Sequence, residues 1–212
     1  SPIYLLLNLY ILRWAYLWMG TCHSILRTLV FRLIFAVIYV LLSTSLLTGF
    51  LIKNPKSLHR MLKITGNYFL GIFLYTLVII LLADFGRILL KYVFHASWIH
   101  SRTAFTVAGA ICALLILLLS ACGIFHAKYI KTTSYKTIPE RTSMKVVLLA
   151  DTHFGYNAGV LHARELVRKI NKQKPDLVCI AGDIFDNEYE ALDDPKYLSE
   201  TLHQIQSKYG TY

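Results

Sequence analysis

Two short stretches near the C-terminal end of this 212-residue chain gather the side chains best suited to chemistry. Asp151, Thr152 and His153 (ADTHFG) follow one apolar run. Gly182, Asp183, Ile184, Phe185, Asp186 and Asn187 (AGDIFDN) follow another, about 30 residues later. Two carboxylates and an imidazole are hard and borderline ligands that suit manganese, iron or zinc. Each motif alone is weak, because an Asp after a buried strand commonly caps the next helix. Their conjunction at the ends of two consecutive strands is the stronger signal.

The elements that must position these residues follow from hydropathy. Lys145 to Ala150 (KVVLLA) reads as a strand buried on both faces, and Leu177 to Ala181 (LVCIA) as a second. Between them Ala163, Leu166, Val167 and Ile170 recur at helical spacing, with Arg164, Arg168, Lys169 and Lys172 facing away. Pro175 ends that helix. Asp194 and Pro195 open another that carries Leu198, Leu202 and Ile205, with Gly210 expected to cap its end. Strand, helix, strand, helix implies a parallel sheet, whose ligands bind past the carboxyl ends of the strands. Adjacent strands lie about 4.8 Å apart, so Asp151, His153 and Asp183 can converge on one point. Gly182 is expected to leave room for a close backbone approach. His162 and His203 are expected on helix surfaces.

With both motifs placed on one strand-helix-strand unit, residues from about Met144 to Tyr212 resemble the calcineurin-like metallophosphoesterase superfamily, specifically its membrane-anchored bacterial branch. The resemblance implies an incomplete α/β metallophosphoesterase domain that hydrolyses phosphoesters with two divalent ions, manganese, iron or zinc. Asp151 and His153 would hold the first ion, and Asp183 would bridge both. Gly182 and Asp186 would have supporting roles. Two adjacent cations lower the pKa of a shared water, hold the phosphate and stabilise an in-line transition state. The family's third motif, Gly-Asn-His and an acidic residue, is expected after a strand beginning near Thr211 and Tyr212, with a Gly-His-x-His motif later. Since the chain also opens on Ser1 without an initiator Met, it is expected to be a fragment of a longer enzyme, truncated at both ends and inactive by itself. Its second strand is expected to expose an unpaired edge.

The remaining sequence is of another kind. Hydrophobic residues make up 56% of the chain and charged residues 16%, which excludes an ordinary soluble protein and a disordered one. Three uncharged stretches, 33–52, 64–83 and 103–125, are long enough to cross a bilayer, and a fourth, 3–19, is interrupted by Arg13. The organisation expected is an all-α transmembrane region over 1–126 with three or four spans, a polar linker over 127–143, and the phosphoesterase part over 144–212.

Residues 1–143 carry 14 basic and 2 acidic side chains, a balance of +12, whereas 144–212 carry 8 and 10, a balance of −2. Nucleic-acid binding is therefore not expected. Lys53, Lys56, Arg60 and Lys63 before the third span, and Lys128, Lys131, Lys136, Arg141 and Lys145 after the last, fall on one side. By the positive-inside rule that side is the cytoplasm, which puts the phosphoesterase part in the cytoplasm of a plasma-membrane protein. The partners expected are the lipid bilayer and a phosphorylated substrate, with a lipid-linked phosphate or pyrophosphate as a candidate.

Asp84 and Arg87, three apart, read as an ion pair at the membrane interface. Tyr10, Trp14, Tyr16, Trp18, Tyr92 and Trp98 read as interfacial anchors. Cys22, Cys112, Cys122 and Cys179 show no metal-binding spacing and read as free thiols, the last three as small core residues. The alternative is a membrane transport or receptor protein with a non-catalytic metal- or phosphate-binding domain. It requires polar residues within the spans, and these are sparse.

Overall fold

The structure, a computed structural model, describes residues 2–136, 143–186, 191–192 and 194–212. Asn187 and linker residues 137–142, Arg141 among them, lie outside the described residues. The chain divides into two compact units, 1–124 and 125–212.

The first unit is helical, with α1 (Pro2–Cys22), α2 (Leu29–Leu51) and α3 (Lys56–Tyr92), followed by α4 (Arg102–Lys128), which runs past the unit's end. Short 3-10 turns, Ser24–Arg27 and Ser97–His100, join α1 to α2 and α3 to α4. Three of these, α2, α3 and α4, are long and apolar enough to cross a membrane. α1 is continuous through Arg13 but is not among them. At about 1.5 Å per residue, the 37 residues of α3 outrun a hydrocarbon core of about 30 Å. Lys56, Arg60 and Lys63 therefore lie on its first two turns rather than in a loop.

Most of the aromatic anchors expected near α1 point inward instead. Trp14 is buried, and its indole N–H reaches Asp84 Oδ1 at 3.3 Å, while Tyr10 Oη–H donates to Oδ2 at 2.7 Å. The Trp18 indole donates to the carbonyl of Thr106 at 3.1 Å, and Tyr16 donates to that of Arg32 at 2.6 Å. An indole or phenol donor in apolar surroundings must find an acceptor, and helix-helix seams supply one. Tyr92 and Trp98 remain exposed. Asp84 and Arg87 do pair, at 3.6 Å, and the guanidinium stacks over the Phe105 ring.

In the second unit β1 (Val146–Leu149) pairs in parallel with β2 (Leu177–Ile180), in the register Val146↔Leu177 to Leu149↔Ile180. α5 (Val160–Lys172) makes the crossover, and α6 (Pro195–Leu202) follows β2. The buried face of α5 is Ala163, Leu166, Val167 and Ile170, the residues its periodicity predicts. Ala163, Leu166 and Ile170 pack with Phe154, Val178 and Leu198, and against Val147, Leu149 and Ile180 of the sheet.

The strands are not buried on both faces. In β1, Val147 and Leu149 face this core, whereas Val146 and Leu148 are exposed. Asp194 caps α6 by accepting from the Tyr197 amide, as its place before Pro195 predicts. Gly210 does not close that helix, which ends at Leu202 with His203 as its cap. Its carbonyl instead accepts from the amide of Val178, and Thr211 forms a parallel bridge with Val178. Residues 209–212 thus bond along β2 from Asp176 to Ile180, and the edge expected to be bare is paired.

Candidate metal centre

Beyond the paired strands the two motif loops stay laced together. The ladder ends with the Ala181 amide donating to Leu149, after which His153 donates to Asp183 at 3.0 Å and Phe154 to Ile184 at 2.8 Å. The Asp186 amide returns a bond to Phe154, also at 3.0 Å, and Thr152 Oγ1 donates to the Ile184 carbonyl at 3.1 Å. Phe154 is almost fully buried on α5 and locks the first loop to the core. The functional side chains stand on its exposed side.

The donor atoms of Asp151, His153 and Asp183 all lie within 4.8 Å of one another, and all three residues are solvent-exposed. Donors around one ion at about 2.1 Å sit roughly 3 to 4 Å apart, so rotamer-scale adjustments would close the group on a cation. Among the described residues neither the Asp151 nor the Asp183 carboxylate receives a hydrogen bond. Two anions that face each other without donors suit a cation.

The backbone adds an independent sign. Asp151, His153 and Asp183 have φ of 53°, 41° and 48°, three of the five non-glycine residues of positive φ among those described. Such conformations are held only where the surroundings impose them, at roughly 1 to 3 kcal/mol each, and they concentrate at functional sites. Asp and His are among the residues that tolerate the left-handed region best.

The glycines divide their roles differently from the sequence reading. Gly182 has φ of 82°, and a side chain there would meet no protein atom within 4 Å, so within the protein it is the turn that calls for glycine. Gly155 is the close-packed one, since a Cβ would run into the carboxyl group and Cβ of Asp186. Asp186 in turn faces His153, Oδ1 to Nδ1 at 3.4 Å. The signal for Gly155 in the sequence is its place directly after an aromatic residue in a loop, where the absence of a side chain permits close approach.

His162 and His203 stand apart from the group. His203 is exposed and its Nδ1 lies 2.8 Å from the Ser199 carbonyl. His162 is half-buried rather than on the surface, with its ring edge-on to Phe154, and burial pushes its pKa below the ordinary value. On the outer side of α5 the Arg168 guanidinium donates twice to Glu165, which lowers the carboxyl's pKa. The four cysteines form no disulfide among the described residues, with Cys112 buried, Cys179 half-buried, and Cys22 and Cys122 exposed.

Residues 144–209 match the family described as calcineurin-like phosphoesterase. A transmembrane protein with metallophosphoesterase domain from Bos taurus is 29% identical over 109 residues, 49% of this chain and 24% of that protein. The protein of the same name from Danio rerio is 32% identical over 76 residues, 35% of this chain and 17% of that one. An uncharacterized metallophosphoesterase, Cj0846, from Campylobacter jejuni is 27% identical over 111 residues, 52% and 29% of the two chains. The chain thus spans less than a third of these relatives' lengths, and they include animals as well as a bacterium, so no bacterial branch is singled out. No solved structure matches.

Proposed function

We propose that residues 144–209, which belong to the calcineurin-like phosphoesterase family, carry the first metal ligands of a membrane-anchored, metal-dependent phosphoester hydrolase. The observation that carries this reading is the convergence of Asp151, His153 and Asp183, each in a left-handed backbone conformation, on one exposed point. Asp151 and His153 would hold one divalent ion and Asp183 would be shared with a second, the ions being manganese, iron or zinc. Such a pair supplies an acidified water and charge neutralisation for the phosphate.

The chain's own residues prepare that site. The Asp183 carbonyl fixes the His153 amide, and the Phe154–Ile184 bond keeps the two loops at one spacing. With Nδ1 3.4 Å from Asp186 Oδ1, His153 would be left to ligate through Nε2, the usual arrangement for a ligating imidazole. Gly182 is exposed, so phosphate can approach the second loop from solvent.

The division of labour we infer is a transmembrane region over 1–126, a linker over 127–143 and a hydrolase part over 144–212. The hydrolase part lies in the cytoplasm of a plasma-membrane protein by the charge on the connections. A lipid-linked phosphate is the substrate class that best suits a membrane-held site. A transport role has little support, since Asp84 is engaged by Tyr10, Trp14 and Arg87.

Two measurements test this. Asp183→Asn in the complete gene product should lower manganese-dependent hydrolysis of a generic phosphoester by about 100-fold or more, and should also weaken manganese binding by this chain measured calorimetrically. Near-normal turnover and binding would overturn the ligand assignment. A reporter fused after Lys145 should read cytoplasmic and one at Ser97 external; the reverse would refute the orientation alone.

A further inference from the structure

We propose that the outward face of α5 is a docking surface for anionic lipid headgroups. Opposite its buried face, α5 presents Leu161, Arg164, Arg168 and Lys172, which are spaced 3, 4 and 4 residues apart, form one stripe, and are all exposed. Leu161, at the head of the stripe, is 78% exposed. Segregation of charge sets this face apart. Three of the eight basic residues in 144–212, Arg164, Arg168 and Lys172, fall on it, with Glu165, the one acid in 160–172, paired to Arg168 beside them, although 144–212 as a whole carries −2. With its apolar face already buried against the core, α5 offers the membrane an electrostatic surface, and basic side chains close to a span attract anionic headgroups.

The chain itself fixes how far this face can stray from a membrane. α4 is apolar to Phe125 and ends at Lys128. Two residues later the chain is already held by α5: Lys169 Nζ donates to the Ile130 carbonyl, its ammonium lies 4.5 Å over the Tyr129 ring, and Ile130 packs on the core beneath α5. Two residues reach about 7 Å at full extension. If α4 spans a bilayer, α5 is tethered at its surface, together with exposed Lys128, Lys131 and Lys136. The inference rests on that membrane insertion and is independent of the phosphoesterase reading. It also has a consequence for the latter, because α5 begins seven residues after His153 and would hold the first motif beside the headgroup layer.

The test is photocrosslinking in the full chain, reconstituted in vesicles of phosphatidylcholine alone or with roughly one third phosphatidylglycerol, an anionic surface of physiological density. A benzophenone amino acid replaces Leu161, or Leu148 on the open sheet face as a control. We expect lipid adducts at 161 to rise at least about fivefold with the anionic lipid. High salt should abolish the rise without any further substitution, as should Arg164→Gln, Arg168→Gln and Lys172→Gln combined. Equal labelling at 161 in both lipids, a rise that survives both high salt and the triple substitution, or labelling at 148 that matches or exceeds 161 would overturn the proposal. Hydrolysis plays no part in the readout, so failure here leaves the metal site untouched.

Discussion

The helical unit and the sheet unit each gather carboxylate chemistry, and they treat it in opposite ways. In the first, Asp84 takes hydrogen bonds from the Tyr10 hydroxyl and the Trp14 indole and pairs with Arg87, so a charge within apolar helices is matched donor by donor. In the second, Asp151 and Asp183 face each other in solvent with no donor among the described residues, on backbone that is itself strained. A satisfied carboxylate stabilises a fold. An unsatisfied, strained pair costs stability, and it is the arrangement that the proposed metal site calls for.

That contrast can be broken by substitution at either end. Asp84→Leu should leave the Tyr10 hydroxyl and Trp14 N–H without acceptors, a loss of about 1 to 3 kcal/mol that unfolding in detergent would register. Asp183→Asn should leave unfolding almost unchanged, because the carboxylate has no partner to lose among the described residues and Asn tolerates the left-handed region equally well. If both variants destabilised alike, or neither did, the two clusters would not differ in kind.

The sequence made the second cluster more legible than the first. Short apolar runs and one amphipathic stripe sufficed to place Asp151, His153 and Asp183, because strand order and spacing are local properties. The α5 face was readable residue for residue for the same reason. The inward turn of Tyr10, Trp14 and Trp18 was not, since hydropathy is nearly uniform around α1 and gives no face. The long-range partners Asp84 and Thr106 are what orient them. The fate of Gly210 was likewise hidden, because a left-handed glycine serves equally well after a helix or before a strand, and the pairing with Val178 decides it.

Within the site, Gly155→Ala separates packing from ligation. A methyl group there must displace Asp186, which accepts no such atom without moving away from His153. The expected loss is about 1 kcal/mol in stability, at the low end for overpacking, with manganese binding weakened roughly tenfold. Gly182→Ala would meet no such contact, and its penalty is backbone strain alone. Equal manganese affinity in Gly155→Ala and the parent chain would show that Asp186 does not position His153.

The smallest effect concerns pH, and it sharpens the comparison because it comes from a buried group beside the open site. His162 has its pKa lowered by burial against Phe154, so the unfolded chain takes up the proton first as the medium is acidified. Its contribution to stability is therefore complete above the ordinary value of 6.5 and declines as pH falls below that, through the lower folded-state value. Glu165, one turn away, works in the same direction at lower pH, since its carboxyl is held ionised by Arg168. Replacing His162 by Gln, which does not titrate, should remove the part of the decline that begins near 6.5 and leave the more acidic part in place. Thermal unfolding followed between about pH 7 and 5 reads this directly. An unchanged profile in His162→Gln would mean that the ring is not desolvated as its packing on Phe154 requires.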